Sequence, residues 1–136
     1  MAASYGPPIS TALAKQVAAA ALAEARANQW AMAVAITDPN GTLVYFEKID
    51  DTQHGSPTVA IDKARSSALF KRATKVFQDN VAGGGAGMRA LAISGAAPIE
   101  GGLPLFLDGR IIGAIGVSGA LPEQDGQCAK AGADAV

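Results

Sequence analysis

The sequence predicts an α+β domain, in which helices pack on an antiparallel sheet of four or five strands. Two stretches of turn chemistry carry this prediction: Asp38-Pro39-Asn40-Gly41 and Asp108-Gly109 each lie between two runs of strand-forming residues. Each stretch predicts a β-hairpin, and a hairpin joins antiparallel neighbours. With the helical segments, the order is α–β–β–α–(α)–β–β–α, and one layered domain spanning 1–136 is the simplest arrangement.

The first half of the chain predicts one helix and the first hairpin. Residues 9–28 contain almost no helix breakers and place Leu13, Val17 and Ala21 on one face, which indicates an amphipathic helix. Residues 31–37 are apolar almost without a break, and residues 42–49 are rich in strand formers. These two segments are the expected strands of the hairpin.

The middle of the chain predicts two more helices and a glycine-rich joint. Ser56 followed by Pro57 suits an N-cap and the first residue of a helix that continues to about residue 70. A further helix is expected over 74–81, and the run AGGGAG at 82–87 predicts a flexible joint. Residues 88–94 fit a strand or a short helix equally well.

The last third predicts the second hairpin and a closing helix. Residues 103–107 and 110–117 are the strands, and Asp-Gly between them favours a type I′ turn. Pro122 opens the helix, where Glu123 and Asp125 suit the positive end of the helix dipole.

Composition limits the classes of partner. A net charge of −1 gives no overall attraction to nucleic acid or anionic lipid, and no apolar run is long enough to cross a bilayer. No basic leader with a long apolar stretch opens the sequence, so we expect a soluble, cytoplasmic protein. The single cysteine, Cys128, excludes an internal disulfide. Abundant Ala and Gly bury little area per residue, which favours further burial between subunits.

Several common sites lack their residues. One histidine and one cysteine do not make a zinc site. Gly116-Val117-Ser118-Gly119 is not the G-x-S-x-G turn of a serine hydrolase, and the glycines at 83–87 lack the Lys-Ser/Thr of a phosphate-binding loop.

The segment after His54 is the strongest candidate for a site. A helix start offers free backbone N–H groups to an anion, and basic residues are dense there. Lys63 and Arg65 are two residues apart, so their side chains point about 200° from each other and do not share one pocket on one subunit. For His54, ligand contact and a surface or capping role both stay open. The basic residues are Lys63, Arg65, Lys71, Arg72 and Lys75.

Four motifs together resemble the GlcG/HbpS-like family, which also occurs as the carboxy-terminal domain of PduO-type proteins. They are VAITDPNGTLVYFEKID, DKARSSALF, GGLPLFLDGRIIGAIGVSG and PEQD, and the resemblance covers nearly the whole chain. It implies a profilin-like sheet with helices on both sides and homo-oligomers from dimers to octamers. It also implies haem binding in some members, and "haem-degrading" is a label applied to the family.

The resemblance also implies candidate residues. Lys63 and Arg65 match the family's K-A-R, and Ser118 with Gly119 belongs to its closing motif. A haem would need an axial ligand and an apolar slot. The possible axial ligands are His54, Met32, Met88 and Tyr45.

Three hypotheses follow. The first is a small-ligand-binding oligomer that holds haem or a similar acid-bearing molecule, with acid groups on Lys63 or Arg65 and iron on His54. The second is an enzyme acting on a small hydroxylated or carboxylated metabolite, with Glu123, Asp125 or His54 as acid or base. The third is a structural subunit without a ligand of its own.

Overall fold

Helices and strands follow one another in the predicted order. The structure is a computed structural model of the chain, and it describes residues 3–136. The elements are α1 (Thr11–Ala27), β1 (Ala33–Thr37), β2 (Leu43–Lys48), α2 (Ser56–Phe70), α3 (Thr74–Gly83), a 3₁₀ helix (Gly85–Ala92), β3 (Gly102–Leu107), β4 (Arg110–Ser118) and α4 (Pro122–Ala133). The predicted α+β class is confirmed.

The sheet has four strands in the order β2-β1-β4-β3, and each neighbouring pair is antiparallel. Both predicted hairpins are present. Asp38 Oδ1 accepts the N–H groups of Asn40 and Thr42 at 2.8 and 3.0 Å, which closes the first turn. Asp108 and Gly109 have φ angles of 52° and 75°, the two positive values that a type I′ turn requires.

The two faces of the sheet are packed differently. Helices α1 and α4 cover one face with the main core, whose centre includes Val17, Ile36 and Ile115, all fully buried. Helix α2 covers the other face, where small side chains meet. They are Ala33, Ala35, Ala60 and Ala64. The prediction of helices on both sides of the sheet is therefore confirmed.

Glycine allows α2 to lie very close to the sheet. A β-carbon on Gly116 would collide with the backbone of Ala60 and Ala64, so the absence of a side chain sets the distance between helix and strand. Farther along the helix, Arg65 and Leu69 lie beside Gly41 in the first hairpin turn. Helix α2 therefore runs from the end of β4 towards the turn between β1 and β2, with one side on the sheet and the other outward.

The start of α2 differs from the prediction, and the structure decides the segment that was left open. The N-cap of α2 is Gly55, not Ser56, and no side chain caps the helix. The chain already turns before Ser56, whose N–H donates to Gln53 O at 3.1 Å. Ser56 therefore lies inside the helix, and its buried hydroxyl has no hydrogen-bond partner among residues 3–136. Residues 88–94, for which strand and helix were both open, lie mostly in the 3₁₀ helix, which begins at Gly85 and ends at Ala92. Within the described part of the chain, no helix is long and apolar enough to cross a membrane.

Candidate functional site

A groove of about 550 Å³ lies on the outward side of α2. Its helix wall is formed by Val59, Asp62, Arg65 and Leu69, which follow at steps of three or four residues and so share one face. The opposite wall is the loop between the 3₁₀ helix and β3. The full lining is Val59, Asp62, Lys63, Arg65, Leu69, Ser94, Gly95, Ala96, Ala97 and Ile99. Small-molecule sites span roughly 300 to 1,000 Å³, so the groove is the size of a ligand site.

Two side chains hold the loop wall in place. The hydroxyl of Ser66, which is fully buried, accepts the N–H of Ala97 at 3.1 Å. Gln78 Oε1, from α3, accepts the N–H of Glu100 at 2.7 Å. The wall is therefore connected both to the groove helix and to α3, which fixes its distance from Arg65.

Arg65 gives the groove its positive charge. Its side chain is exposed and, within residues 3–136, lies within 4.0 Å of no carboxylate. Three apolar side chains share the lining with it: Val59, Leu69 and Ile99. An unpaired guanidinium beside apolar surface suits a ligand that has a carboxylate and an apolar body, because the guanidinium binds carboxylates through two parallel hydrogen bonds.

Lys63 is among the lining residues, but its ammonium points away from Arg65 into the protein, as the separation of about 200° predicts. Its side chain is 1% exposed, and its Nζ donates to Asp125 Oδ2 at 2.9 Å and to Val117 O at 3.0 Å. The other carboxylate oxygen, Asp125 Oδ1, accepts the N–H of Ala120 at 3.0 Å. This buried pair joins α2 to β4 and to the start of α4. The Lys63 ammonium is thereby occupied within the protein. Arg65 is the basic lining residue whose head group pairs with no carboxylate in the described part of the chain.

Burial dominates the electrostatics of this pair. Removal from water raises the pKa of Asp125 above the ordinary 3.8, and the hydrogen bond and charge of Lys63 oppose that rise only in part. Gly101 closes the site, because a β-carbon there would lie 2.6 Å from Val117 O and 2.8 Å from Lys63 Nζ. The Lys63–Asp125 pair is therefore closed to solvent and links α2 to β4 and α4.

The other predicted site residues lie outside the groove. His54 is exposed in the turn before α2 and is not part of the lining. Glu123 is exposed in the first turn of α4. Ser118 is the last residue of β4, opposite Ala33, and Gly119 follows it. Of the predicted residues, the structure brings Lys63 and the backbone N–H of Gly119 to the Asp125 carboxylate, whereas His54, Arg65 and Glu123 lie apart from this pair.

The further candidates for an iron ligand are scattered. Met32 is fully buried in the core between the sheet and α1, and Met88 is exposed in the 3₁₀ helix. The Tyr45 hydroxyl donates to Glu47 Oε1 at 2.6 Å. None of them lines the groove. Across residues 3–136, no three His, Cys, Asp or Glu side chains are grouped closely enough to hold a metal ion.

Most of the groove could not be predicted from the sequence. The helix wall had a signal, since the outward positions 59, 62, 65 and 69 combine apolar and charged residues at helical spacing. The loop wall, residues 94–99, had none, because its position depends on contacts with Ser66 and Gln78 that are distant in sequence.

The fold and the groove define a small α+β protein with a ligand-sized site on the outer side of one helix. The chain belongs to the HbpS-like family: the model for "haem degrading protein HbpS-like" matches residues 9–134.

Relatives and solved structures agree with this assignment. The protein GlcG of Escherichia coli K12 is 36% identical over 110 residues, which cover 81% of each chain. The structure of protein ORFY of Klebsiella pneumoniae superposes with a TM-score of 0.89 at 27% identity, covering 96% of this chain and 91% of that one. The structure of a PduOC:haem complex superposes with a TM-score of 0.84 at 29% identity and covers 95% of both chains.

Proposed function

We propose that this protein is a small-ligand-binding protein that holds haem, or a similar flat molecule with an acid group, in the α2 groove. The observation that carries the proposal is the Arg65 guanidinium, which pairs with no carboxylate of residues 3–136 and lies in a groove of about 550 Å³ with apolar side chains on both walls. The solved complex of a PduOC chain with haem, which shares this fold, supports the choice of ligand.

The lining fits the organic part of such a ligand. Arg65 would bind one propionate-like carboxylate, and Val59, Leu69 and Ile99 would contact the flat ring. The iron contact would have to come from outside the lining. We assign it in this proposal to His54, the only imidazole of the chain, whose exposed position precedes Val59 by five residues.

Lys63 has a structural role in the same proposal. To bind a carboxylate, its ammonium would have to leave Asp125 and Val117, which would leave a buried carboxylate unpaired. Breaking one half of a buried ion pair is strongly unfavourable. Arg65 alone therefore provides the positive charge of the binding site.

Acid–base catalysis by the predicted residues has less support. Asp125 is buried with Lys63, and Glu123 is exposed on α4 on the other side of the sheet from the groove helix. Neither residue lines the groove, so neither is placed to exchange a proton with a molecule bound there.

Self-association is part of the proposal. Several large apolar side chains are exposed on one chain, among them Leu91 at 59% and Leu121 at 56%. Burial of such residues between subunits would compensate for a core rich in alanine. Light scattering on the purified protein should give a mass that is a multiple of 13.6 kDa, and a mass of one chain at micromolar concentration would contradict this part.

A haemin titration followed by absorbance tests the binding site. The wild type should give a saturable shift of the Soret band. Arg65→Gln should weaken binding about tenfold, since a hydrogen bond to a charged group contributes about 1.5 kcal/mol or more. His54→Ala should change the position of the band by removing the iron ligand. Lys15→Gln, which removes an exposed charge from α1 on the opposite face of the sheet, is the matched control and should leave the titration unchanged.

Two results would contradict the proposal. A non-saturating rise in absorbance for the wild type would mean that haemin binds without a site. Equal titrations of the wild type and Arg65→Gln would mean that the acid group is bound elsewhere.

A further inference from the structure

The groove carries one negative and one positive side chain that are not paired with each other. Asp62 and Arg65 are three residues apart on α2, a spacing that puts their Cβ atoms about 5–6 Å apart. Both side chains are exposed. In the described part of the chain, Asp62 is within 4.0 Å of no cationic group and Arg65 of no carboxylate.

Other neighbouring opposite charges on the helices of this chain do form pairs. Lys75 Nζ lies 2.8 Å from Asp79 Oδ2 on α3, and Lys130 Nζ lies 3.0 Å from Asp134 Oδ2 at the end of α4. Asp62 and Arg65 differ from these pairs in two ways: they are three residues apart instead of four, and both line the groove. The Arg65 side chain also starts beside Gly41 in the first hairpin turn, on the Leu69 side of Asp62. The two groups are therefore available to different parts of one ligand.

The loop wall adds uncharged hydrogen-bond donors. The N–H groups of Ser94 and Gly95, both lining residues, have no acceptor within residues 3–136. Both residues are exposed, so these N–H groups are open to water or to an acceptor on a ligand. Asp62, in contrast, would repel a second carboxylate and attract a cationic group.

We propose that the α2 groove selects a small zwitterion with an apolar side chain, whose carboxylate binds Arg65 and whose neighbouring ammonium group binds Asp62. The inference rests on the proposed function for the acid group on Arg65, but it names a small zwitterion in place of haem, whose second carboxylate Asp62 would repel. It adds that Asp62 is a specificity-determining residue. The apolar lining of Val59, Leu69 and Ile99 would contact the side chain of the ligand.

Four probes with the same branched side chain test this directly by calorimetry. They are leucine, 2-hydroxy-4-methylpentanoate, 4-methylpentanoate and isobutylmalonate, which differ in having an ammonium, a hydroxyl, a hydrogen or a second carboxylate next to the first carboxylate. For the wild type, leucine should bind about tenfold more tightly than 4-methylpentanoate, since it adds a charge-assisted hydrogen bond to Asp62. Isobutylmalonate should bind most weakly.

Asp62→Asn should remove this order. The advantage of leucine over 4-methylpentanoate should disappear, while isobutylmalonate and haemin, each with two carboxylates, should bind more tightly than to the wild type. Asp134→Asn is the control: it removes an exposed carboxylate at the end of α4 and should preserve the order. Thermal unfolding of each variant verifies that it is folded.

The outcomes separate this inference from the proposed function. If the four probes bind alike and Asp62→Asn changes nothing, while haemin binding still depends on Arg65, the zwitterion inference is overturned and the proposed function stands. If Arg65→Gln affects neither haemin nor any of the probes, both are overturned.

Discussion

Replacing Lys63 by methionine should destabilise the fold strongly, and removing the charge of its partner Asp125 as well should restore much of the lost stability. Methionine keeps most of the buried stem of lysine and removes the ammonium. The Asp125 side chain is 3% exposed, so the variant would leave a carboxylate in the interior without its cation. Breaking one half of a buried pair costs about 3 to 5 kcal/mol. For a chain of this size, that corresponds to a fall in Tm of roughly 10 to 20 °C.

The double variant Lys63→Met/Asp125→Asn separates charge from packing. Asparagine keeps an oxygen to accept the Ala120 N–H, which Asp125 Oδ1 accepts at 3.0 Å in the wild type. With both charges gone, the interior no longer holds an unpaired ion. We expect the double variant to be more stable than Lys63→Met alone by about 2 kcal/mol, since buried pairs replaced as a whole cost far less than pairs broken in half.

The stability deficit of Lys63→Met should depend on pH, because it comes from the charge of Asp125. Burial already raises the folded-state pKa of Asp125 above 3.8, and loss of Lys63 would raise it further. A raised pKa means that the folded state holds the proton more tightly, so stability is fully present below the unfolded-state pKa and is lost as the pH rises through the folded-state pKa. The deficit of Lys63→Met relative to the wild type should therefore be small near pH 3.8 and increase with pH.

Urea unfolding followed by circular dichroism gives the free energy of unfolding of the wild type, of Lys63→Met and of the double variant. Repeating it at several pH values gives the dependence of each on pH. The reasoning fails if Lys63→Met and the double variant are equally unstable, because the loss would then come from packing. A deficit that is independent of pH would refute the role of the Asp125 carboxylate in the same experiment.

Two other predictions concern buried positions. Gly101→Ala should lower the free energy of unfolding by more than about 3 kcal/mol, because the new β-carbon would lie 2.6 Å from Val117 O at a φ of 132°. Gly83→Ala is the control, since Gly83 has open space around it at the end of α3. This variant should be neutral or more stable by roughly 0.5 to 1 kcal/mol. Similar Tm values for the two variants would contradict the close approach at Gly101. Cys128 is buried and its thiol pKa is raised to about 12, so a thiol reagent at pH 8 should label it only in denaturant, and rapid labelling of the native protein would show that the helix α4 core opens readily.

Local chemistry was enough to predict most elements. The turn residues at 38–41 and 108–109 predicted both hairpins, and Pro57 and Pro122 lie within one residue of the starts of α2 and α4. The open choice at 88–94 could not be settled, because a short apolar segment has no distinguishing period. Ser56 was predicted as an N-cap from its residue type and from Pro57 after it. The cap position instead depends on the preceding turn, in which the Ser56 N–H donates to Gln53 O.

Helical geometry explains how much of the site the sequence could predict. Residues two apart on a helix must diverge, so the sequence alone showed that Lys63 and Arg65 have different surroundings. Which of them faces inward depends on the partner available there, and Asp125 is 62 positions away in sequence. Because their side chains diverge, the two basic residues of the K-A-R segment have different roles. Lys63 fixes α2 to β4 and α4, and this attachment holds the outward side of the helix, with Asp62 and Arg65, at a constant position opposite the loop wall. A change at Lys63 would therefore disturb ligand binding through the fold, whereas a change at Arg65 would alter binding with the fold intact.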